Sequence, residues 1–388
     1  MSEKRGHFIE AHIIQSIPYA NLNRDDTNSV KTVQYGGVNR TRVSSQSWKR
    51  AMRLRLQQRL GQEALRTRRL AERIERHLID ERGWDSGLAR RAAQHIVVAS
   101  SVGAEPPARG QADGPWSSAA MVYVPDSAVA ELAELAQEHR LALEAAKDSK
   151  SLKQKDALVP TDRVDAVLRS RNGIINLFGR MLAQVDDAKV DGAVQVAHPF
   201  TTHETDTEID YFSAVDDVTH DWADTTGSAH MGHTEHSAGV LYRYVVVDTR
   251  ELLANLGDDT AAARDLITGF LDAAVLSLPQ AKKNSTAPHS IPDLVHLAVR
   301  EDRPVSYASA FEKPVRASRE GGLTEPSITE LDTYATAAEK LLGNTGVRFS
   351  AYASLAAKDL TGLGSRLDSF DELIQGAADA ALPAGEAK

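Results

Sequence analysis

The chain has 388 residues, 42% hydrophobic and 26% charged, with a formal net charge of −9 and no cysteine. This composition describes a folded globular protein and excludes disulfides, thiolate metal sites and cysteine nucleophiles together. No apolar run approaches the roughly 20 residues of a membrane helix, and the first residues lack a signal-peptide pattern, so a cytoplasmic protein with no membrane partner is expected.

In chain order, HFIEAHIIQSI (7–17) is rich in β-formers and is expected to be a strand ended by Pro18. YGG (35–37) is turn chemistry and VNRTRV after it is extended. SSQSWKRAMRLRLQQRL opens a helix, with Ser45 or Ser47 as its cap. On that helix Trp48, Ala51 and Met52 share one side, and Arg50, Arg53 and Gln57 lie opposite. The helical pattern is expected to continue to Gly83. SVGAEPPARGQADGPW (101–116) reads as a loop and MVYVP as a short strand. AVAELAELAQEHRLALEAAKDSK is a helix by its Ala, Leu and Glu content. Another helix is expected over about 162–182. GAVQVAH, AGVLYRYVVVD, DLVHLAVR and VRFSAYA then read as strands, separated by an acidic insertion after His203 and by helices ELLANLGDDTAAARDLITGFLDAAVLSL and SITELDTYATAAEKLLG. Strands alternating with helices that pack on them give an α+β class.

The charges are unevenly placed. Residues 1–83 carry 17 Lys and Arg against 9 Asp and Glu, and the remainder 28 against 45. From Thr27 to Gln62 there is no acidic residue, while Lys31, Arg40, Arg42, Lys49, Arg50, Arg53, Arg55 and Arg59 fall in that window. A solvated basic helix is the plain explanation. The sharper one is an anion site: a helix start offers free backbone N–H groups and partial positive charge, and Lys49 and Arg50 fall in the first turn, where they oppose the dipole. A phosphate backbone suits such a donor set, because it needs no reading of base edges.

The insertion from Glu204 to Asp224 has eight acidic residues and no Lys or Arg, yet carries Ile209, Tyr211, Phe212 and Trp222. Its aromatics either wedge between bases or anchor the loop to its own core. Its charge also suits the basic face of another copy, in head-to-tail assembly. His230, His233 and His236 beside Glu235 invite a metal reading, with His198, His203 and His220 nearby. Spacing of three on an extended chain alternates faces, and no HExxH pattern is present, so a metal site is not expected. Asp25 and Asp26 are candidates for a metal-dependent ribonuclease. Adjacent residues on a strand diverge, and in a loop among Asn21, Asn23 and Asn28 such side chains close turns on backbone N–H groups. No P-loop or GxSxG elbow occurs.

Taken in order, LNRDD, GG…R.RVSSQSWKRAMR, GRM, KVDGA, TTHETDTEIDYFSAVDD, GSAHMG…E.SAGVLYRYV and FEKPV resemble the CasC family, the backbone subunits of type I-E CRISPR Cascade complexes in the RAMP-like superfamily. The resemblance spans about residues 7–350. It implies a distorted RRM-like (ferredoxin-like) palm formed by 1–44 and 186–355, a mainly helical fingers insertion over 45–185, and a protruding thumb over about 198–236. Residues 356–388 match no motif, and a partly disordered C-terminal segment is expected. The resemblance further implies a subunit without cofactor or catalysis. Copies stack along the spacer of a CRISPR RNA, kink it at intervals, and leave its bases to pair with target DNA. Partners implied are the guide RNA, target DNA through the heteroduplex, other copies, the large, small, head and tail subunits, and a recruited helicase-nuclease that cuts. By the family motifs, Asn23, Arg24, Lys31, Ser44, Gln46, Lys49 and Arg50 grip RNA, with Lys282 and Lys283 adding phosphate contacts. Tyr211 and Phe212 are the candidate wedges near the thumb tip, and Met181 packs against the displaced base. RNA-cleaving relatives use an aspartate near the Gly-Gly loop. GGVNRTRVSSQS offers no acid there, which speaks against nuclease activity.

Overall fold

The computed structural model describes residues 7–107, 114–149, 151–215, 228–343 and 346–382, with only the backbone of 214, 215 and 228–230. Two units are distinguished: Met1–Leu56 with Val194–Arg250 and Ala263–Lys388, and Gln57–Ala193 with Glu251–Ala262.

The first unit is built on the strand Phe8–Ala20, whose side chains are buried on both faces over most of its length; it does not end at Pro18 as expected but passes it with a register shift between Ile17 and Ala20, an irregularity that accommodates a residue without an N–H. It pairs antiparallel with Ser228–Asp248 on one side and Leu294–Arg300 on the other; Val347–Ser354 and Ser365–Arg366 extend the sheet beyond Leu294–Arg300. Only the last pairing is parallel. Helices Thr260–Leu276, Thr324–Leu342 and Phe370–Ala381 accompany the sheet, so the α+β expectation holds. One face carries Ile14, Val240, Tyr242, Leu294, Tyr307, Phe311, Leu331 and Tyr352 in a common core. On the other face the buried Arg243 stacks over the Trp48 ring at 4.1 Å. It also donates to Gln15 Oε1 at 2.7 Å and to the Ala274 and Val275 carbonyls. Burial pushes the Arg243 guanidinium down to about 9, and these acceptors compensate a charge that would otherwise be costly to bury.

The 21-residue strand Ser228–Asp248 serves two structures. Its second half pairs with Phe8–Ala20, from Phe8↔Asp248 to Ala20↔Ser237. Its first half leaves the sheet and, among the described residues, pairs only with Glu208–Val215, starting at Glu208↔His236. At about 3.4 Å per residue the free part is roughly 30 Å long. The thumb expected over 198–236 therefore contains a two-stranded arm. Trp222 and His220 lie outside the described residues.

Several boundaries move. The basic helix, Ser45–Leu60, belongs through Leu56 to the sheet unit and not to the helical insertion, because Trp48, Met52 and Leu56 are fully buried and Trp48 lies under Arg243. Helix does not run on to Gly83: Gly61 takes φ 61°, and Ala64–Thr67 pairs with Val122–Pro125 before helix Leu70–Asp80 begins. Nor is 162–182 one helix. Thr161–Arg169 ends, and Asn172 accepts from the Ile175 N–H to start Gly173–Phe178 afresh. In the segment from 356, expected to be partly disordered, the described residues run through Leu382. Ser369 caps helix Phe370–Ala381, which buries Leu373, Ile374, Ala377, Ala378 and Ala381; an Ala-rich tail is a good helix with a small, packable face. The second unit has its own core, in which Ile74, Leu78, Ile96, Leu132, Val164 and Leu168 are fully buried.

Candidate nucleic-acid interface

The loop from Asn21 to Lys31 follows the central strand directly. Asp25 Oδ1 accepts from Thr27 N and Oγ1, both at 2.8 Å, and from Ser29 N at 2.9 Å. The Thr27 hydroxyl, followed by these backbone donors and Lys31, holds the Asp25 carboxyl below its ordinary range. Asn28 adopts φ 67° and receives Arg24 Nη1 at 2.8 Å. Asp25 thus closes an Asx-type turn. Among the described residues no group of three His, Asp or Glu is placed to hold a metal ion.

Asn23 links this loop to the basic helix. Its Oδ1 accepts from Ser44 N at 2.8 Å. Ser44 Oγ accepts from Ser47 N at 3.3 Å, so Ser44 is the cap, ahead of both Ser45 and Ser47, the two positions read from the sequence. His198 Nδ1 accepts from Ser45 N at 3.0 Å. The start of the helix is therefore largely satisfied by the protein itself, and the expectation of open backbone N–H groups is corrected: the available donors are side chains. Gln46 and Arg50 are exposed and Lys49 is half-buried. Burial lowers the Lys49 ammonium from its ordinary value. No acidic residue lies in the first turn, and Lys49, Arg50 and Lys31 have no ion pair among the described residues.

The edge beside the helix is closely packed. Strands Thr32–Tyr35 and Val38–Thr41 are joined by Gly36 and Gly37 at φ 62° and 79°, a hairpin turn that demands glycine. Gly36 abuts Glu312, whose carbonyl oxygen would lie 1.7 Å from an added Cβ. The buried Arg40 donates to the carbonyls of Tyr35, Thr201, Phe311 and Glu312. FEKPV and YGG, far apart in sequence, are thereby one seam. Val33, Gln34, Tyr35, Arg42, His198, Phe200 and Ala308 line an open groove of about 450 Å³ along it.

On the arm, the two candidate wedges take opposite faces. Tyr211 faces with Ile209, Met231 and His233, because Tyr211↔His233 and Ser213↔Met231 are cross-strand partners. Tyr211 and Met231 are about three-quarters exposed. Phe212 points to the opposite face and lies over Gly232, where an added Cβ would sit 2.6 Å from its ring. His233 and His236 also take opposite faces, as the spacing predicts. His236 is buried and stacks on Tyr19 with centroids 4.4 Å apart. His203 Nε2 accepts from Val240 N at 3.1 Å. Of His230 only the backbone, opposite Ala214, is described. Lys282, at φ 56°, lies near enough to His236 to help lower that ring's pKa, after burial; Lys283 is exposed.

In the second unit, GRM is a pinned loop. Arg180 is 4% exposed and donates to the carbonyls of Ala188, Tyr123, Ser170 and Arg169. Gly179 (φ 79°) abuts Gly192, whose N would lie 2.7 Å from an added Cβ. Met181, next along, is 88% exposed: a rigid loop presents one apolar side chain to solvent.

Sequence reasoning gave Glu235 no role of its own. Its carboxylate accepts from Ser29 Oγ at 3.0 Å and Val30 N at 3.1 Å, and its carbonyl from Asn21 Nδ2 at 2.8 Å. Met231 and His198 were likewise not singled out as site residues, since only the strand register and the loop packing reveal their company.

The sequence pattern of the CT1975-like protein family matches residues 9–376. Among solved structures, a chain of a pre-nicking CRISPR RNA-guided surveillance complex is 42% identical, with a TM-score of 0.87, over 96% of this chain and 100% of that one. A chain of a second CRISPR RNA-guided surveillance complex is 39% identical, with a TM-score of 0.78 and the same coverage. No curated protein matches.

Proposed function

Because this chain belongs to the CT1975-like protein family, we propose that it is a guide-RNA-binding backbone subunit of a type I-E CRISPR Cascade surveillance complex. The observation that carries the reading is Lys49. It is a half-buried ammonium without an acidic partner among the described residues, in a stretch of 36 residues, Thr27–Gln62, that holds no carboxylate. Desolvating a cation without a counter-ion costs free energy, and an external anion restores the balance. Asn23, Arg24, Lys31, Ser44, Gln46, Lys49 and Arg50 form the RNA grip, and Lys282 and Lys283 add contacts near the root of the arm. Asn23 and Ser44 act through the backbone they order; the charged side chains contact phosphate.

Copies assemble head to tail along the guide. The arm of each, with Tyr211 and Met231 on its apolar face, wedges the strand at intervals, and Met181 packs against a displaced base. Phe212 braces the arm on Gly232. The guide bases remain free to pair with target DNA, and the remaining Cascade subunits complete the particle. Asp25 is engaged in closing its own loop, which supports a chain that binds and does not cut; cleavage falls to a recruited helicase-nuclease.

The test is purification with native partners, followed by the 260/280 nm absorbance ratio and a denaturing gel of extracted nucleic acid. A high ratio with one discrete short RNA is expected. A protein-only spectrum at high oligomer mass would instead favour a self-assembling protein whose basic helix meets its own acidic arm.

A further inference from the structure

We propose that Glu235, at the root of the arm, positions the RNA-gripping loop and couples it to the arm. The inference rests on the RNA-binding reading above and adds a residue that the motifs leave without a role.

Both carboxylate oxygens of Glu235 are occupied by donors of the loop, Ser29 Oγ at 3.0 Å and Val30 N at 3.1 Å. Its main-chain carbonyl takes Asn21 Nδ2 at 2.8 Å. The loop is thus tied to the arm strand at both of its ends. From there the linkage is continuous. Lys31, next after Val30, gives its N–H to the Asn23 carbonyl at 3.4 Å, and its own carbonyl receives Arg42 N at 2.8 Å. Asn23 Oδ1 then holds Ser44 N at the cap of the basic helix. Moving Glu235 with the arm displaces Val30, and with it Lys31 and Asn23.

Glu235 has no cationic partner among the described residues. A carboxylate beside a phosphate-gripping loop repels the ligand, so anything it adds to binding comes through geometry. That makes charge and geometry separable by substitution. If Glu235 acted only through its charge, Glu235→Gln and Glu235→Ala would both bind RNA more tightly than the unsubstituted chain. If it positions the loop, affinity falls in the order Glu, Gln, Ala, because Gln keeps one acceptor oxygen and Ala keeps none.

The chain has no cysteine, so Asp26→Cys and Ser213→Cys accept a pair of spin labels at exposed positions on loop and arm without background. The measurement is the label-to-label distance distribution, with the affinity and salt slope for a single-stranded RNA of mixed sequence. Glu235→Ala is expected to broaden the distribution and weaken binding about tenfold, with the salt slope retained because no phosphate contact is removed. Glu235→Gln should fall between, and Ser29→Ala should mimic it. Should Glu235→Ala fail to fold, Glu235→Gln and Ser29→Ala carry the same comparison. Unchanged distances, or variants that bind as tightly as the unsubstituted chain, overturn the proposal. If the unsubstituted chain binds no RNA, the RNA reading fails by itself, and the distances still decide whether Glu235 couples loop to arm.

Discussion

Replacing Lys49 with Met separates two effects of one charge. Met keeps most of the apolar stem and removes the ammonium. In the RNA-free chain the ammonium is half-buried and unpaired, and burial depresses its pKa, so its removal should leave the thermal midpoint unchanged or raise it. With RNA, one charge-assisted hydrogen bond is lost, a cost of about 1.5–3 kcal/mol, or roughly 10- to 150-fold in affinity. The salt dependence is sharper still. One phosphate contact contributes about 0.7 to the slope of log K against log salt on a single strand. Between 50 and 200 mM salt, a fourfold change, the unsubstituted chain should lose about 2.6 times more affinity than the variant. Anisotropy titrations with a labelled single-stranded RNA at those two salt concentrations measure it. An unchanged slope, whatever the affinity, would show that Lys49 does not meet a phosphate, and a lowered midpoint in the RNA-free chain would show that its charge is already compensated.

Gly36→Ala and Gly37→Ala share a strained positive φ, but only Gly36 has a carbonyl oxygen 1.7 Å from the new Cβ, while nothing lies within 4 Å of the other. Thermal melts should therefore show about 1–2 kcal/mol lost at Gly37 and about 3 kcal/mol or more at Gly36; equal losses would refute the seam with Glu312. Tyr211→Ala should leave the arm folded and abolish periodic kinking, read as regular reactivity in chemical probing of the bound guide, whereas Phe212→Ala should loosen the arm itself, read as faster backbone hydrogen exchange over 208–215. Stability should fall in mild acid. His12, His203, His236 and His296 are all lowered by burial, so the unfolded chain takes up protons that the folded chain resists. Their contribution is whole above the unfolded value near 6.5 and is lost as pH falls below it. The urea midpoint should drop between about pH 7.5 and pH 5.5; equal midpoints would mean these rings bind protons alike in both states.

The local chemistry of this chain is legible in one dimension. The strand at 7–17, the glycine turn at 36–37, the basic helix after Ser44 and the divergence of His233 from His236 all follow from periods of two and 3.6 and from glycine's access to positive φ, properties that neighbouring residues decide among themselves. The acid-free run from Thr27 to Gln62 is likewise legible without any fold. What sequence alone leaves open is company at a distance. Tyr211 and Phe212 look like a pair until the register of a strand sixteen or more residues away sets them on opposite faces and gives Met231 to one and Gly232 to the other. The helix start looks open until Asn23 and His198 arrive to fill it. Arg40 and Arg243 look like two more basic residues until burial turns them into structural pins. Glu235 is one acid among many until the arm strand carries it to Ser29 and Val30, more than 200 residues earlier in the chain. Each of these depends on which strand edges pair and which side chains lose their water, and only the folded sheet decides that.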